Sequence, residues 1–450
     1  MRAPNQGPSD GGAPVEQHTM STPGFAAIDF GTSNSAIALP APGPGRQGVA
    51  LVELEPGQYT MPTAVFYRAD EPERYFGRAA IAAYVDGYDG RLMRSMKSVL
   101  GSSLVDQSTD VGGGRAMKFS DIIAGYLLHL KHKAETEAGA ALQRLVMGRP
   151  VFFVDDDPVR DVRAQAVLEA AARSVGFSEV LFQFEPIAAA LDHERQVDRE
   201  CCVLVADIGG GTSDFSLVRV GPARRTRLDR RDDILASHGV HVAGTDFDRH
   251  VELSAILPLL GYRSLRPARP GEAAREVPSG IYFDLATWHL INTVYAPARM
   301  TEVRQMHSWF TDATHHRRLM QVLTRRLGHA LAAAAEQAKI DLATDGRALI
   351  GLDELQAGLS AALDPAAAAT AIEADLQRIV QAARDTVRMA GLRPDQVDTL
   401  YFTGGSTGLS ALVQRIAAEF PQATPVRGDR FASVAQGLGL HARAVFGDVG

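Results

Sequence analysis

Apolar residues fall into two rhythms along this chain. Short apolar runs bounded by glycine, proline or acidic residues read as strands. They are Phe25–Leu39 (two strands around a tight turn), Val49–Leu54, Ala64–Tyr67, Arg144–Val154, Val180–Phe184, Cys202–Asp207, Asp214–Val220 and Leu400–Thr403. Between them, apolar positions recur at helical spacing. Ile122, Ile123, Tyr126, Leu127 and Leu130 predict a helix over Ile122–Ala138, and Leu376, Ile379, Val380, Ala383 and Val387 mark one face of another over Leu376–Ala390. Further helices are expected at Val162–Val175, from Pro186 onward, at Phe247–Leu260, His316–Leu342, Ser406–Glu419 and Ala432–Val445. Strands alternating with helices indicate an α/β chain.

One pattern occurs twice. "AIDFGTSNSAIAL" from Ala27 and "VADIGGGTSDFSLV" from Val205 both run apolar strand, aspartate, apolar residue, glycine turn, Thr-Ser and second apolar strand. An aspartate in a buried strand is costly unless something positive meets it. Glycine turns present successive backbone N–H groups as an anion site. A hard divalent cation takes one or two carboxylates, waters and phosphate oxygens together. Asp29 and Asp207, one per copy, are therefore expected to face Mg²⁺ carried by a nucleotide polyphosphate. An ordinary β-hairpin is the alternative for the first copy, but three consecutive glycines, Gly209–Gly211, are hard to justify by folding alone. A third glycine motif, Gly404-Gly405 in "LYFTGGSTGLSALVQRI", joins a strand to a helix, whose N-terminus suits a phosphate or sugar.

Composition narrows the classes. The chain has 450 residues, is 46% hydrophobic and 22% charged, and carries a net charge of -7, which suits a soluble globular protein of two or more lobes without a general attraction to nucleic acid or anionic lipid. Cys201 and Cys202 are adjacent, read as small apolar residues entering a strand, and fit a reducing compartment. No stretch is long and apolar enough to span a membrane, and the polar, Pro- and Gly-rich residues 1–23 are expected to be a disordered tail. "RRTRLDRR", Arg224 to Arg231, reads as an exposed hairpin tip, His315-His316 as a solvent-facing pair, and residues 263–280 as a surface insertion. No P-loop, H-E-x-x-H or G-x-S-x-G signature is present; "GLGLHA" at Gly437 lacks the strand a dinucleotide fingerprint needs.

The ordered set of motifs resembles the ATPase domain of the seventy-kilodalton heat-shock chaperones, within the actin and hexokinase superfamily. The two hairpins resemble its phosphate motifs and "YFTGGSTGLSALVQRI" its adenosine motif, with "MPTAVFY", "FGRAA", "MKSVLG", "FEPIAAAL", "AGTDFD" and "EQAKIDL" in order over about residues 24–445. The resemblance implies a two-lobed actin-like ATPase fold, with duplicated ribonuclease H-like cores and inserted subdomains. Lobe I would cover 24–200 with an insertion at about 54–144, lobe II 201–428 with an insertion at about 243–375, and 429–450 would form a helix returning to lobe I. It further implies ATP/ADP and Mg²⁺ as ligands. Asp29 and Asp207 would hold the metal through its waters. Gly31, Thr32, Ser33, Asn34, Gly209, Gly210, Gly211 and Thr212 would bind phosphates. Gly244, Glu336, Lys339, Gly404, Gly405 and Ser406 would line the nucleoside. Lys97 would reach the γ-phosphate and attacking water, Glu185 would help place that water, and Asp207 and Asp214 complete the catalytic set, Asp214 as a proton acceptor.

Departures accompany the resemblance. Ile340 and Gly408 stand where the family places the two arginines that sandwich adenine, which bears on base selectivity. Pro150 matches a proline tied to lobe communication. The chain stops shortly after its last helix, so an ATPase-only, cytoplasmic, monomeric chaperone-like protein is expected, a slow Mg²⁺-dependent ATP hydrolase that signals to a protein partner or co-chaperone-like factor by lobe closure, without nucleic acid or membrane. A small-molecule kinase, an actin-like filament subunit and a nucleotide-binding protein without turnover remain rival readings.

Overall fold

A computed structural model describes residues 24–41, 48–154, 157–267, 273–428 and 432–447. The tail expected at residues 1–23 lies outside them.

The duplicated sequence pattern becomes two sheets of the same plan. In the first, Glu179–Phe184, Leu142–Arg149 and Gly24–Phe30 run parallel, and Gly24–Phe30 continues antiparallel to Asn34–Pro40 and then Val49–Leu51. In the second, Thr424–Arg427, Thr399–Thr403 and Cys201–Ile208 run parallel, followed antiparallel by Ser213–Val220 and Ile234–Val240. Strand order and direction match position for position. The central strands are apolar on both faces because helices cover both. Ala26, Ile28 and Phe30 point into a core with helix Phe119–Ala138, while Phe25 and Ala27 point the other way, period two along the strand. Likewise Leu204, Ala206 and Ile208 face helices Glu373–Met389 and Ser410–Glu419, and Val203 and Val205 join Phe25 and Ala27 in a core shared by the two halves.

Helix Ser433–Phe446 packs into that shared core against Glu185–Glu194 and the first sheet. A Cβ on Gly437 would lie 1.9 Å from the Ala188 carbonyl oxygen, and one on Gly439 3.0 Å from the Ala38 and Val49 side chains. The glycines of "GLGLHA" thus permit close backbone packing, and they lie inside the helix rather than in the strand-to-helix turn that a nucleotide fingerprint requires.

Several expected elements differ. The single helix over His316–Leu342 is two, Ala313–Arg325 and Gly328–Asp345, broken where Arg326 turns left-handed at φ 55°. The helix over Phe247–Leu260 is α-helical only at Gly244–Val251, then widens into a π turn at Glu252–Ile256 and tightens through Pro258. The helix predicted to start at Ser406 starts at Ser410, because Gly405–Gly408 forms a 3-10 turn first. His316 is buried, its Nε2 2.9 Å from the Val303 carbonyl, and so is not solvent-facing.

The "RRTRLDRR" tip is corrected as well. Most of it is exposed, but Arg230 turns inward and is 2% exposed. Its guanidinium meets Glu194 in bidentate fashion at 2.8 and 3.0 Å and also bonds Asp233; both carboxylates are 1% exposed. Arg224 bonds the same Asp233. The charges are a buried ionic knot holding the end of helix Glu185–Glu194 against the second sheet's connecting loop.

Candidate nucleotide cleft

Each aspartate sits where its strand leaves the sheet. Asp29 precedes the turn Gly31–Ser33, and Asp207 pairs with Asp214 across the second hairpin and with Thr403 on the parallel strand. The turns differ in build but meet in space. A Cβ on Gly210 would come within 2.8 Å of Ser33 Oγ, so the tips of the two hairpins touch. Gly209 N–H closes the second turn by donating to the Thr212 carbonyl at 3.0 Å. Gly404 has φ 86°, and a Cβ there would lie 2.4 Å from the Ile208 carbonyl oxygen and 2.7 Å from Asp207 Oδ1. Only glycine lets the Thr399–Thr403 strand turn this close to the aspartate.

Lys97 and Glu185 come from distant segments and form an ion pair of 2.6 Å between Nζ and Oε1. Both are mostly buried, and Gly148 leaves room for Glu185: a Cβ there would lie 3.1 Å from its Cγ. Burial pushes the Asp29 carboxyl up to about 8, with Glu185 and Asp207 adding and Lys97 opposing. Burial pushes Asp207 up to about 7, with Asp214 and Glu185 adding and Lys97 again opposing. Asp214 is raised by the same desolvation and restrained by the Thr212 hydroxyl, which donates to it at 2.7 Å. Burial alone would pull Lys97 down, but Glu185, Asp29 and Asp207 together leave it raised. Four carboxylates therefore gather around the Lys97 ammonium, an excess of negative charge that further cations would relieve.

That donor set fits a hard divalent ion. Among the described residues no three His, Cys, Asp or Glu side chains gather to form a metal shell on their own. Asp29 and Asp207 are the two carboxylates that would hold such an ion, with water and ligand oxygens needed to complete its shell.

Residues expected on the nucleoside side converge on the second hairpin. Ser406 Oγ donates to the Gly209 carbonyl at 2.7 Å, Gly244 N–H to the same carbonyl at 3.2 Å, and Lys339 Nζ to the Gly244 carbonyl at 3.2 Å. Lys339 also pairs with Asp248 at 2.6 Å. Burial raises the Asp248 carboxyl to about 6 against the pull of Lys339. Glu336 and Ile340 flank Lys339 on the same helix and are exposed; Gly408 is buried. Gly405 begins the 3-10 turn beside them, and Asn34 stands exposed where the first hairpin's second strand starts.

Three residues were missed by reading the sequence. Thr63 bonds the first turn, Thr245 bonds Gly210 through both its N–H and its hydroxyl at 2.8 Å, and Asp248 pairs with Lys339. "MPTAVFY" and "AGTDFD" contain them, but only the fold shows which backbone groups they reach.

A family model described as Hsp70 protein matches residues 25–252, just over half of the chain. The chaperone protein DnaK of Mycoplasmoides gallisepticum is 25% identical over 408 residues, 89% of this chain and 56% of that protein. A chaperone protein HscA homolog of Pseudomonas fluorescens is 32% identical over 246 residues, 50% of this chain and 36% of that protein. The chain spans about half or less of the length of these curated relatives.

Proposed function

Since the chain belongs to the Hsp70 family and has the actin-like fold of that family's ATPase domain, we propose that it binds Mg²⁺–ATP in the cleft between its two hairpins and hydrolyses it slowly. The observation that carries this reading is the meeting of Ser33 and Gly210, which sets Asp29, Asp207, Lys97 and Glu185 around one space. Mg²⁺, when bound, would neutralise charge on the polyphosphate oxygens, with Asp29 and Asp207 as its anchors.

In this reading the chain's residues act by placement. Backbone N–H groups of Gly31–Ser33 and Gly210–Thr212 receive phosphate oxygens, helped by the Thr32, Ser33 and Thr212 hydroxyls, while the Gly209 N–H stays bonded to the Thr212 carbonyl and shapes the turn. Lys97 places its positive charge beside the transferring group. Glu185, already bonded to Lys97, orients the attacking water, and the raised carboxyl of Asp214 is suited to accept a proton from it. Glu336 and Lys339 would hold the ribose, with Gly404–Ser406 beside it. Such catalysis rests on position and electrostatics rather than covalent chemistry.

The output would be lobe closure sensed by a protein partner or co-chaperone-like factor. Each half contributes one hairpin, so nucleotide occupancy and the angle between halves are coupled by construction. The proposed site of action is the cytoplasm; among the described residues no helix is long and apolar enough to cross a membrane.

Calorimetric titration with ATP, ADP and GTP, with and without Mg²⁺, tests binding. Ile340 and Gly408 at the base face predict little preference between ATP and GTP. Phosphate release tests turnover: Asp207→Asn should abolish its Mg²⁺-dependent part, and unchanged hydrolysis in that variant refutes the assignment.

A further inference from the structure

The carbonyls of the glycine turns are held by side-chain hydroxyls. Behind the first turn lies a buried chain of three residues. Thr63 Oγ1 donates to the Gly31 carbonyl at 2.8 Å, and Thr63 N–H donates to the Ser33 carbonyl at 2.9 Å. Ser35 Oγ lies 2.9 Å from Thr63 Oγ1. A hydroxyl has one proton, and that of Thr63 is committed to Gly31, so Ser35 is the donor in this pair. Tyr126 closes the group, its hydroxyl donating to the Pro62 carbonyl at 3.1 Å. Thr63 and Ser35 are each 1% exposed and Tyr126 fully buried.

The geometry of a peptide plane gives this network a consequence. Every described peptide is trans, so each C=O and the following N–H point in opposite directions. Pinning the Gly31 carbonyl toward buried Thr63 turns the Thr32 N–H toward the open side of the loop. Glycine would otherwise allow this plane to rotate at little cost. The second hairpin has the same device from other residues: Ser406 holds the Gly209 carbonyl and Thr245 the Gly210 carbonyl, which turns the N–H groups of Gly210 and Gly211 the other way.

We infer that Thr63 is a positioning residue for polyphosphate: it touches no ligand but locks the Gly31–Thr32 peptide so that the Thr32 N–H faces the cleft. The inference rests on the proposed nucleotide site and assigns a new residue to it. It predicts an effect on phosphate-bearing ligands only. Thr63→Val keeps the shape and removes the hydroxyl; Thr63→Ser keeps the hydroxyl. The test is titration of native protein and both variants with Mg²⁺–ATP, Mg²⁺–tripolyphosphate and adenosine, alongside thermal unfolding.

Thr63→Val should weaken ATP and tripolyphosphate by about tenfold and leave adenosine unchanged, while Thr63→Ser restores both. Equal weakening of all three ligands, or unchanged ATP affinity in Thr63→Val, overturns the inference. If Thr63→Val does not fold, the Thr32 amide resonance of the native protein decides: a shift on adding tripolyphosphate supports the role and its absence overturns it. Native protein that binds none of the three ligands refutes the nucleotide site itself, an outcome distinct from the others.

Discussion

Gly210 sits against Ser33 so closely that an added Cβ would lie 2.8 Å from the serine hydroxyl and 3.5 Å from its Cβ. The two residues belong to different sheets and to hairpins far apart in the chain. Their contact makes the proposed cleft a joint product of both halves. Alanine at Gly210 can be met by rotating the Ser33 hydroxyl; a branched side chain cannot. Gly210→Val should therefore hold the hairpins apart and weaken Mg²⁺–ATP by about tenfold or more, with unfolding little changed because the turn is outside the core. Calorimetry and denaturant unfolding check the two halves of that statement.

Lys97 is bonded to Glu185 and offsets the repulsion among Asp29, Asp207 and Asp214. Lys97→Met keeps the apolar stem and removes the charge. Single-turnover phosphate release should fall by about a hundredfold or more, in the range seen when a transition-state charge donor is lost. Phosphate release at the native rate in Lys97→Met excludes a role for this ammonium.

Arg230 neutralises two carboxylates that are otherwise sealed from water. Arg230→Met takes away the guanidinium that both buried carboxylates share, leaving Asp233 with Arg224 and, at 4.0 Å, the exposed Arg227, and should cost about 3–5 kcal/mol of unfolding free energy. Arg227→Ala, at an exposed position of the same loop, should stay within about 0.5 kcal/mol. Urea midpoints of the two variants compare an inward and an outward arginine directly.

His441 is buried and accepts a hydrogen bond from Gln183 Nε2 at 3.2 Å; Gln183 Oε1 is taken by the Phe184 N–H, which fixes the amide's orientation. Burial, with Arg230 nearby, pulls the imidazole down to about 4 from an ordinary 6.5. The folded ring is neutral where the unfolded one would charge, so its stability contribution is full above pH 6.5 and lost as pH falls toward 4, at about 1.4 kcal/mol per pH unit. Asp29 and Asp207, raised by burial, act in the opposite sense. The measurement is therefore the stability difference between native protein and His441→Gln at pH 7 and pH 5. That difference should shift in favour of the variant by ~1–2 kcal/mol on acidification; an unchanged difference rules out a titrating His441.

Local pattern and tertiary placement contributed unequally to this picture. The strand at Cys201–Ile208 was legible because it is apolar on both faces and ends in aspartate and glycine. The break between Ala313–Arg325 and Gly328–Asp345 was not, because Arg326 carries no local signal for a left-handed turn. Arg230 and His316 misled for one reason: a polar residue's exposure depends on whether the fold supplies a partner, and Glu194 and the Val303 carbonyl come from other elements.

By itself the sequence determined the repeated strand–aspartate–glycine pattern, because side-chain alternation, buried charge and glycine's backbone freedom are properties of neighbouring residues. The tertiary structure alone decided that Ser33 meets Gly210, that Lys97 reaches Glu185 and that Thr63 holds the Gly31 carbonyl. Those relations are between groups distant along the chain, and only packing the two sheets on one shared core fixes the angstrom-scale distances on which their chemistry depends.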